Sequence, residues 1–422
     1  MGFYTERFWV SDVSGMNKAE RLGGVYRPYT PDLLCGREIT LSSTCGAAVA
    51  RAESALAELR VSQALTDTEP LARMLLRSEA ISSSRIEGLE MPAAKLLEYE
   101  ELDRLGVEHR LDSTEAQILG NLHMLSGVLE AIEEGHEIGL AEICSLNAGL
   151  LQGSRIADEG GKLRTAQNWI GGNRVNPVGA AYVPPEPEKV AELMGDLVSF
   201  LNTSALPGIA VAALGHAQFE HIHPFADGNG RVGRALIHVV LKSRGLSRTT
   251  VPPISLVLAT DKERYIANLA ASRTDKDEDF IEAANDWIEY FANVTSLACE
   301  RAAQFEQTLA RIRDGWLART DFRADSAARQ LIDLLPGTPA LSIKTAQALT
   351  EKSYPAARLA ILALQEAGIL HQNSKNRKSG IYVASEVLEA FNAYERALAT
   401  LSGDTTAEKP RRPVPQRKPS RE

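Results

Sequence analysis

A chain of 422 residues is too long for a single core and implies two or three domains. Its composition, 44% apolar and 24% charged, is that of an ordinary globular protein, and no uncharged apolar run reaches the roughly 18 residues that span a bilayer. The net charge of −9 speaks against broad nucleic-acid binding, and Cys35, Cys45, Cys144 and Cys299 follow neither a metal-ligand nor a disulfide pattern.

The opening stretch MGFYTERFWV has neither the basic flank nor the apolar run of a signal peptide, so a cytoplasmic location without membrane attachment is expected. The first forty residues are turn-rich (Gly23, Gly24, Pro28, Pro31, Gly36) and read as an extended arm laid over the body. Apolar recurrence at three and four residues then predicts helices near 44–60, 69–87, 113–134 and 139–152. Residues 163–185 break the rhythm with glycines, Asn-rich turns and the β-prone pair Trp169-Ile170, and predict a hairpin or ordered flap. Helices resume at about 186–203 and 207–221. Beyond Gly230, Val232, Ala235, Leu236, Val239 and Val240 mark one helical face, and Gly245 supplies a stop. A long amphipathic helix is expected over roughly 278–318, with Phe280, Ile281, Ala284, Trp287, Ile288 and Phe291 on its apolar stripe.

The densest chemistry lies in HPFADGNGRVGR, His223 to Arg234. A helix starting at Asn229 or Gly230 offers free N–H groups and a positive dipole end, and Gly228 and Gly230 let a ligand approach the backbone. Arg231 and Arg234, one turn apart, lean over the same place. Together they describe a site for a multiply charged anion, most simply a polyphosphate. Asp227 would repel a bare polyphosphate, which points to Mg²⁺ bridging carboxylate and phosphate. His223 suits a general base near neutrality, so the pattern suggests attack of a hydroxyl on phosphorus. A transition-metal site through His221, as H-x-H…D, is the other reading of these residues, but it leaves two adjacent arginines unexplained.

The same twelve residues fill every fixed position of the Fic signature H-x-F-x-[D/E]-G-N-G-R-x-x-R, so the chain resembles the Fic family. The resemblance extends to GKLRTAQNWIGG (161–172), AAYVPPEPEKV (180–190) and the lead-in FEHIHPF. It implies a mainly α fold, a helical bundle with a β-hairpin flap, and AMP transfer from Mg-ATP to a Ser, Thr or Tyr hydroxyl of a target protein. By resemblance, His223 takes the hydroxyl proton and Asp227 holds Mg²⁺. Gly228, Asn229 and Gly230 cradle the phosphates, with Asn229 close to the α-phosphate. Arg231 meets the β-phosphate and Arg234 the γ-phosphate. Phe225 anchors the loop. The flap near Gly179, Ala180, Ala181 and Tyr182 is expected to hold the target by adding a backbone strand. Tyr265 resembles a tyrosine of the family's adenine side, although Ile266 stands where relatives often carry a second aromatic.

Upstream, SSSRIEG (82–88) resembles the family's inhibitory motif [S/T]-x-x-x-E-[G/N], matched by Ser83, Glu87 and Gly88. Glu87 in the last turn of a helix sits at the wrong end of the dipole, at a cost of roughly 0.3–1 kcal/mol, and needs a cationic partner unless it is merely solvated. The resemblance names Arg234 as that partner, which makes the chain an autoinhibited enzyme. It also leaves open removal of AMP from modified proteins, another nucleotide donor, and a sensor that binds nucleotide without catalysis.

After Asp325 the character changes. Three short helices, two small strands and a basic turn read as a winged helix, with Lys375, Arg377 and Lys378 in the wing. The second helix of its turn offers little beyond Arg358 for base edges, so DNA reading and a protein-interaction or homodimer module both stay open. The implied plan is an arm and helices over 1–110 with the inhibitory helix near 69–88, a catalytic domain over 111–250, and a helical extension over 251–322. A winged helix over 323–398 and a basic, Pro-rich, unstructured tail over 399–422 complete it. ATP and a protein substrate, which can be the chain itself, are the expected partners.

Overall fold

The computed structural model describes residues 2–11, 17–21, 23–60, 69–107, 112–248, 250–372 and 380–399. The wing residues Lys375, Arg377 and Lys378 and the tail from 400 onward lie outside them. The arm is built from β1 (Phe3–Tyr4), β2 (Arg7–Trp9), the short α1 (Lys18–Arg21), β3 (Gly24–Tyr26) and β4 (Tyr29–Thr30). β1 pairs with β4 and β2 with β3, both antiparallel. Tyr29 N–H donates to the Val183 carbonyl at 2.9 Å, and Trp9 meets Trp169 edge-on, so the arm lies against the expected flap.

The body is helical: α2 (Ser43–Arg60), α3 (Glu69–Ile86), α4 (Ala93–Arg104), α5 (Thr114–Ala131), α6 (Leu140–Leu151), α7 (Pro187–Thr203), α8 (Gly208–Ile222), α9 (Asn229–Ser243), α10 (Ile254–Thr260), α11 (Lys262–Ala271) and α12 (Asp277–Ala318). Each predicted helix is present. α4 is an addition to the reading, a short helix behind Pro92 whose buried side includes both Leu96 and Glu101. α12 runs for 42 residues, packs along α2 and α8, and ties itself to α8 through the Trp287 indole N–H, 2.7 Å from the Ala213 carbonyl. None of the helices among the described residues is long and apolar enough to cross a membrane.

The flap is less regular than a hairpin. Ile170 and Tyr182 form a single antiparallel bridge, and no strand extends it. Gly171, Gly172 and Gly179, all between the bridge partners, take positive φ, which bends the chain out of the pleat on the loop side of that bridge.

Beyond α12 follow α13 (Ala327–Leu334), β5 (Ala340–Leu341), α14 (Ile343–Thr350), α15 (Tyr354–Glu366), β6 (His371–Gln372), β7 (Tyr382–Val383) and α16 (Ser385–Ala397). Ser326, Ser342 and Ser353 cap α13, α14 and α15 through their hydroxyls. The strands make one antiparallel sheet in the order β5-β7-β6, so a third strand, β5, joins the two that the sequence predicts. α16 folds back on α12, where Tyr394 stacks on Phe305 at 4.7 Å between ring centres. One apolar core runs from Leu34 to Leu398, so these last elements share it with the body.

Candidate active site

α8 ends and α9 begins around one tight loop. His223 closes α8 in a left-handed conformation (φ 50°), unusual for a residue with a Cβ, and Gly228 opens α9 at φ 80°. A Cβ at Gly228 would come within 2.7 Å of Leu150, so both the conformation and the space require glycine. The two turns aim the His223 ring and the N-terminus of α9 into one cavity of about 330 Å³. His223, Asp227, Gly228, Asn229, Gly230 and Arg231 all border it.

The loop is fixed mainly from the side. Asn229 does not turn its amide towards the cavity: its Oδ1 accepts the Phe225 N–H at 2.8 Å and its Nδ2 donates to the Phe225 carbonyl at 2.8 Å. Phe225 itself is fully buried against Phe219. Asn147 donates to the Asp227 carbonyl at 2.9 Å and accepts the Gly161 N–H at 3.0 Å. Arg164, buried at the base of the flap, gives its guanidinium to the carbonyls of His223 (2.9 Å), Ile222 (3.3 Å), Pro185 and Ala166. Burial pulls its pKa down to about 10, which leaves it charged at neutrality. Arg164 and Asn147 carry no signature of their own in the sequence; both act on main-chain atoms of distant segments.

Burial, then the charge of Arg164, lowers the His223 imidazole to about 4, opposed by Glu87. The ring is therefore neutral at pH 7, the state a base requires. Its Nδ1 faces the end of α8, 3.8 Å from the Glu220 carboxylate. Asp227 is exposed at the rim, with Oδ1 accepting the Gly228 N–H at 2.7 Å. One exposed carboxylate beside an anion cradle is the oxygen donor set Mg²⁺ uses when substrate phosphates complete its shell. Among the described residues no group of three metal-ligating side chains forms, and His221 is engaged at Nε2 by the Leu269 carbonyl (3.3 Å) and Ser272 (3.2 Å).

The cradle is not open. Gly88 takes φ 85°, and the Gly88 and Leu89 N–H groups return to the carbonyls of Arg85 and Ser84, which terminates α3 and turns Glu87 inward. Its carboxylate meets Arg234 Nη2 at 2.7 Å, while the same guanidinium bonds the Ser83 hydroxyl (3.0 Å) and carbonyl (2.8 Å). A Cβ at Gly230 would lie 2.1 Å from that carboxylate, so Glu87 rests on the first turn of α9. Arg234 is thus covered and does not border the cavity. Desolvation pushes the Glu87 pKa up, but Arg234, Arg231 and His223 more than offset it and hold it below the ordinary value. Burial lowers the pKa of the Arg231 guanidinium, against Asp227 and Glu87.

Two expected positions take different roles. Tyr265, expected beside the adenine, is buried in the core behind Arg234, stacked on His216 with its hydroxyl 2.8 Å from Nε2; its ring does not reach the cavity. In the flap, the N–H groups of Ala180, Ala181 and Tyr182 are already spent on Pro177 and Ile170 carbonyls, and the Tyr182 hydroxyl turns inward to His221. A strand added at Gly179–Tyr182 would therefore meet carbonyl oxygens rather than these donors.

Residues 137–241 match the Fic/DOC family and residues 47–117 match the Fic/DOC family N-terminal region. The chain carries a Fic/DOC domain. It is 30% identical over 193 residues to protein adenylyltransferase fic-1 of Caenorhabditis briggsae, a match that covers 44% of this chain and 32% of that one. It is 32% identical over 170 residues to the protein adenylyltransferase Fic of Drosophila virilis, covering 40% and 33%. The chain thus spans about a third of the length of these curated relatives. A Fic family protein from Desulfovibrio desulfuricans G20 superposes with a TM-score of 0.50 at 19% identity, over 82% of this chain and 97% of that structure, and shares its fold.

Proposed function

We propose that this Fic protein transfers AMP from Mg-ATP to a hydroxyl of a target protein and is held off by its own Glu87. The observation that carries the reading is one convergence: a neutral His223, a glycine-lined helix N-terminus and Arg231 share a cavity that Glu87 enters to claim Arg234. Asp227 is the residue that would hold Mg²⁺, whose bound charge neutralises the phosphates. The N–H groups at the start of α9 and Arg231 would orient them, and Arg234 would take the γ-phosphate once Glu87 leaves. His223 would accept the proton of the attacking hydroxyl. With Glu87 on Arg234 the triphosphate loses a counter-charge, meets a carboxylate and sits out of line, and in-line geometry supplies much of the rate.

Among the described residues bordering the cavity none carries a hydroxyl, so the acceptor is delivered from outside it, on another molecule or a remote segment. The test uses α-labelled ATP with wild type, Glu87→Gly and Glu87→Gly/His223→Ala. Label on protein with Glu87→Gly that vanishes with the double change supports the reading. Its absence in all three, with ATP still bound, points to another donor or to a nucleotide sensor whose output is the C-terminal region.

A further inference from the structure

Glu220 is a buried carboxyl beside the site that no step above uses. It lies on the last turn of α8, 8% exposed, between His223 of its own helix and Arg234 of α9. Its Oε1 has no hydrogen-bond partner, and Nδ1 of His223 has no well-formed one, although the Glu220 main-chain carbonyl also faces the ring. The carboxyl fits only because α9 has Gly233 opposite: a Cβ there would lie 2.4 Å from Oε1. Burying an unpartnered carboxyl is costly, and an apolar side chain would fill the space at less expense, so packing does not account for it.

We propose that Glu220 is a positioning residue for His223, holding the imidazole from its Nδ1 side and balancing the charge the ring acquires during transfer. The inference rests on the AMP-transfer reading. In that step the hydroxyl oxygen forms a bond to the α-phosphorus, the α–β bridging bond breaks, and pyrophosphate leaves with the electron pair. The hydroxyl proton passes to Nε2 and later to solvent. While Nε2 holds it, both ring nitrogens are donors and Nδ1–H needs an acceptor. Glu220 is 3.8 Å away, and a shift of about 1 Å makes a charge-assisted hydrogen bond.

Charged and titratable groups on several elements face this pair. His223 of α8, Arg234 of α9, Tyr265 of α11 and Glu87 after α3 face Glu220, while Arg164 and Glu87 act on His223. Burial, and to a lesser degree Glu87, raise Glu220 to about 7 against the pull of Arg234. It therefore gains its charge close to neutrality, and with that charge its ability to hold an imidazolium.

The test compares full-length Glu87→Gly with Glu87→Gly/Glu220→Gln. The expected result is a kcat that rises with pH in the first, through an apparent pKa lower than that of the wild-type chain because Glu87 no longer raises it, and is flat and lower by about tenfold or more above that pKa in the second, with KM for ATP within about twofold. An unchanged profile in the double variant, or parallel loss of kcat, KM and thermal stability without a change of profile shape, overturns the proposal. A second readout does not require turnover. In the wild-type chain, the His223 ring ¹⁵N resonances should titrate with the Glu220 carboxyl ¹³C signal, and this response should vanish in Glu220→Gln. If no variant transfers AMP but the two signals titrate together, the activity reading fails and the pairing stands; if His223 ignores Glu220, the pairing fails whatever the activity.

Discussion

In the proposed function a single carboxylate decides the resting state of the site. Glu87 gains its partner only because Gly88 turns the chain at the end of α3 and Gly230 leaves bare backbone where the carboxylate rests. Replacing Glu87 by Gly should raise AMP transfer by about 10²-fold, the scale of an attack geometry restored, as read by label incorporation. Acid should not do the same within the physiological range. The folded Glu87 pKa is depressed, so the pairing is present above the ordinary value of 4.5 and is lost only as pH falls through the lower folded value. Arg164 makes the complementary case of a residue that never touches substrate in this reading. Arg164→Ala would leave four carbonyls at the base of the flap without their donor, and should destabilise the chain by about 3 kcal/mol in urea unfolding while lowering kcat.

At the scale of elements, α3 is a rod with a glycine stop. Gly88 has open space around a hypothetical Cβ, so its strain lies in φ alone. Gly88→Ala should cost about 1 kcal/mol and raise basal transfer with little change in melting temperature, whereas Gly88→Asn, which tolerates that conformation better, should do less. The helices with sustained periodicity, α3, α9 and α12, were readable from the sequence because one face of each meets the core for many turns. α4 was not, since its buried side mixes Leu96 and Leu97 with Glu100 and Glu101, which are paired with Arg77 and Arg104 rather than exposed. The signature loop was legible because glycines and charges must stand at fixed spacing there. Arg164, Asn147 and Glu220 were not, because their partners come together only when the flap, α6 and α9 have packed. The flap was half legible: its turn residues announce a reversal, but the same glycines limit the pairing to one bridge.

Over the whole molecule, buried ion pairs join segments far apart in sequence. Arg77 grips Glu100 with two bonds of 2.8 and 2.9 Å and also reaches the Gly337 carbonyl at 2.7 Å. Desolvation pushes the Glu100 pKa up, but Arg77 and Arg104 outweigh it and bring it down to about 2. Its stabilisation is full above 4.5 and disappears as pH falls through about 2, so Glu100→Gln should flatten the acid limb of a melting-temperature profile between those limits. Arg85, inside the same seven-residue stretch as Glu87, lies 3.5 Å from the buried Glu395 of α16. Glu395→Ala should therefore raise basal transfer, and the gain should be less than additive with Glu87→Gly in a double-mutant cycle. α3 is thus gripped on one side by the anion cradle and on the other by α16. Such a rod obeys reciprocity: whatever the grip of the C-terminal elements on α3 adds to or takes from the affinity for nucleotide, bound nucleotide must add to or take from that grip in equal measure.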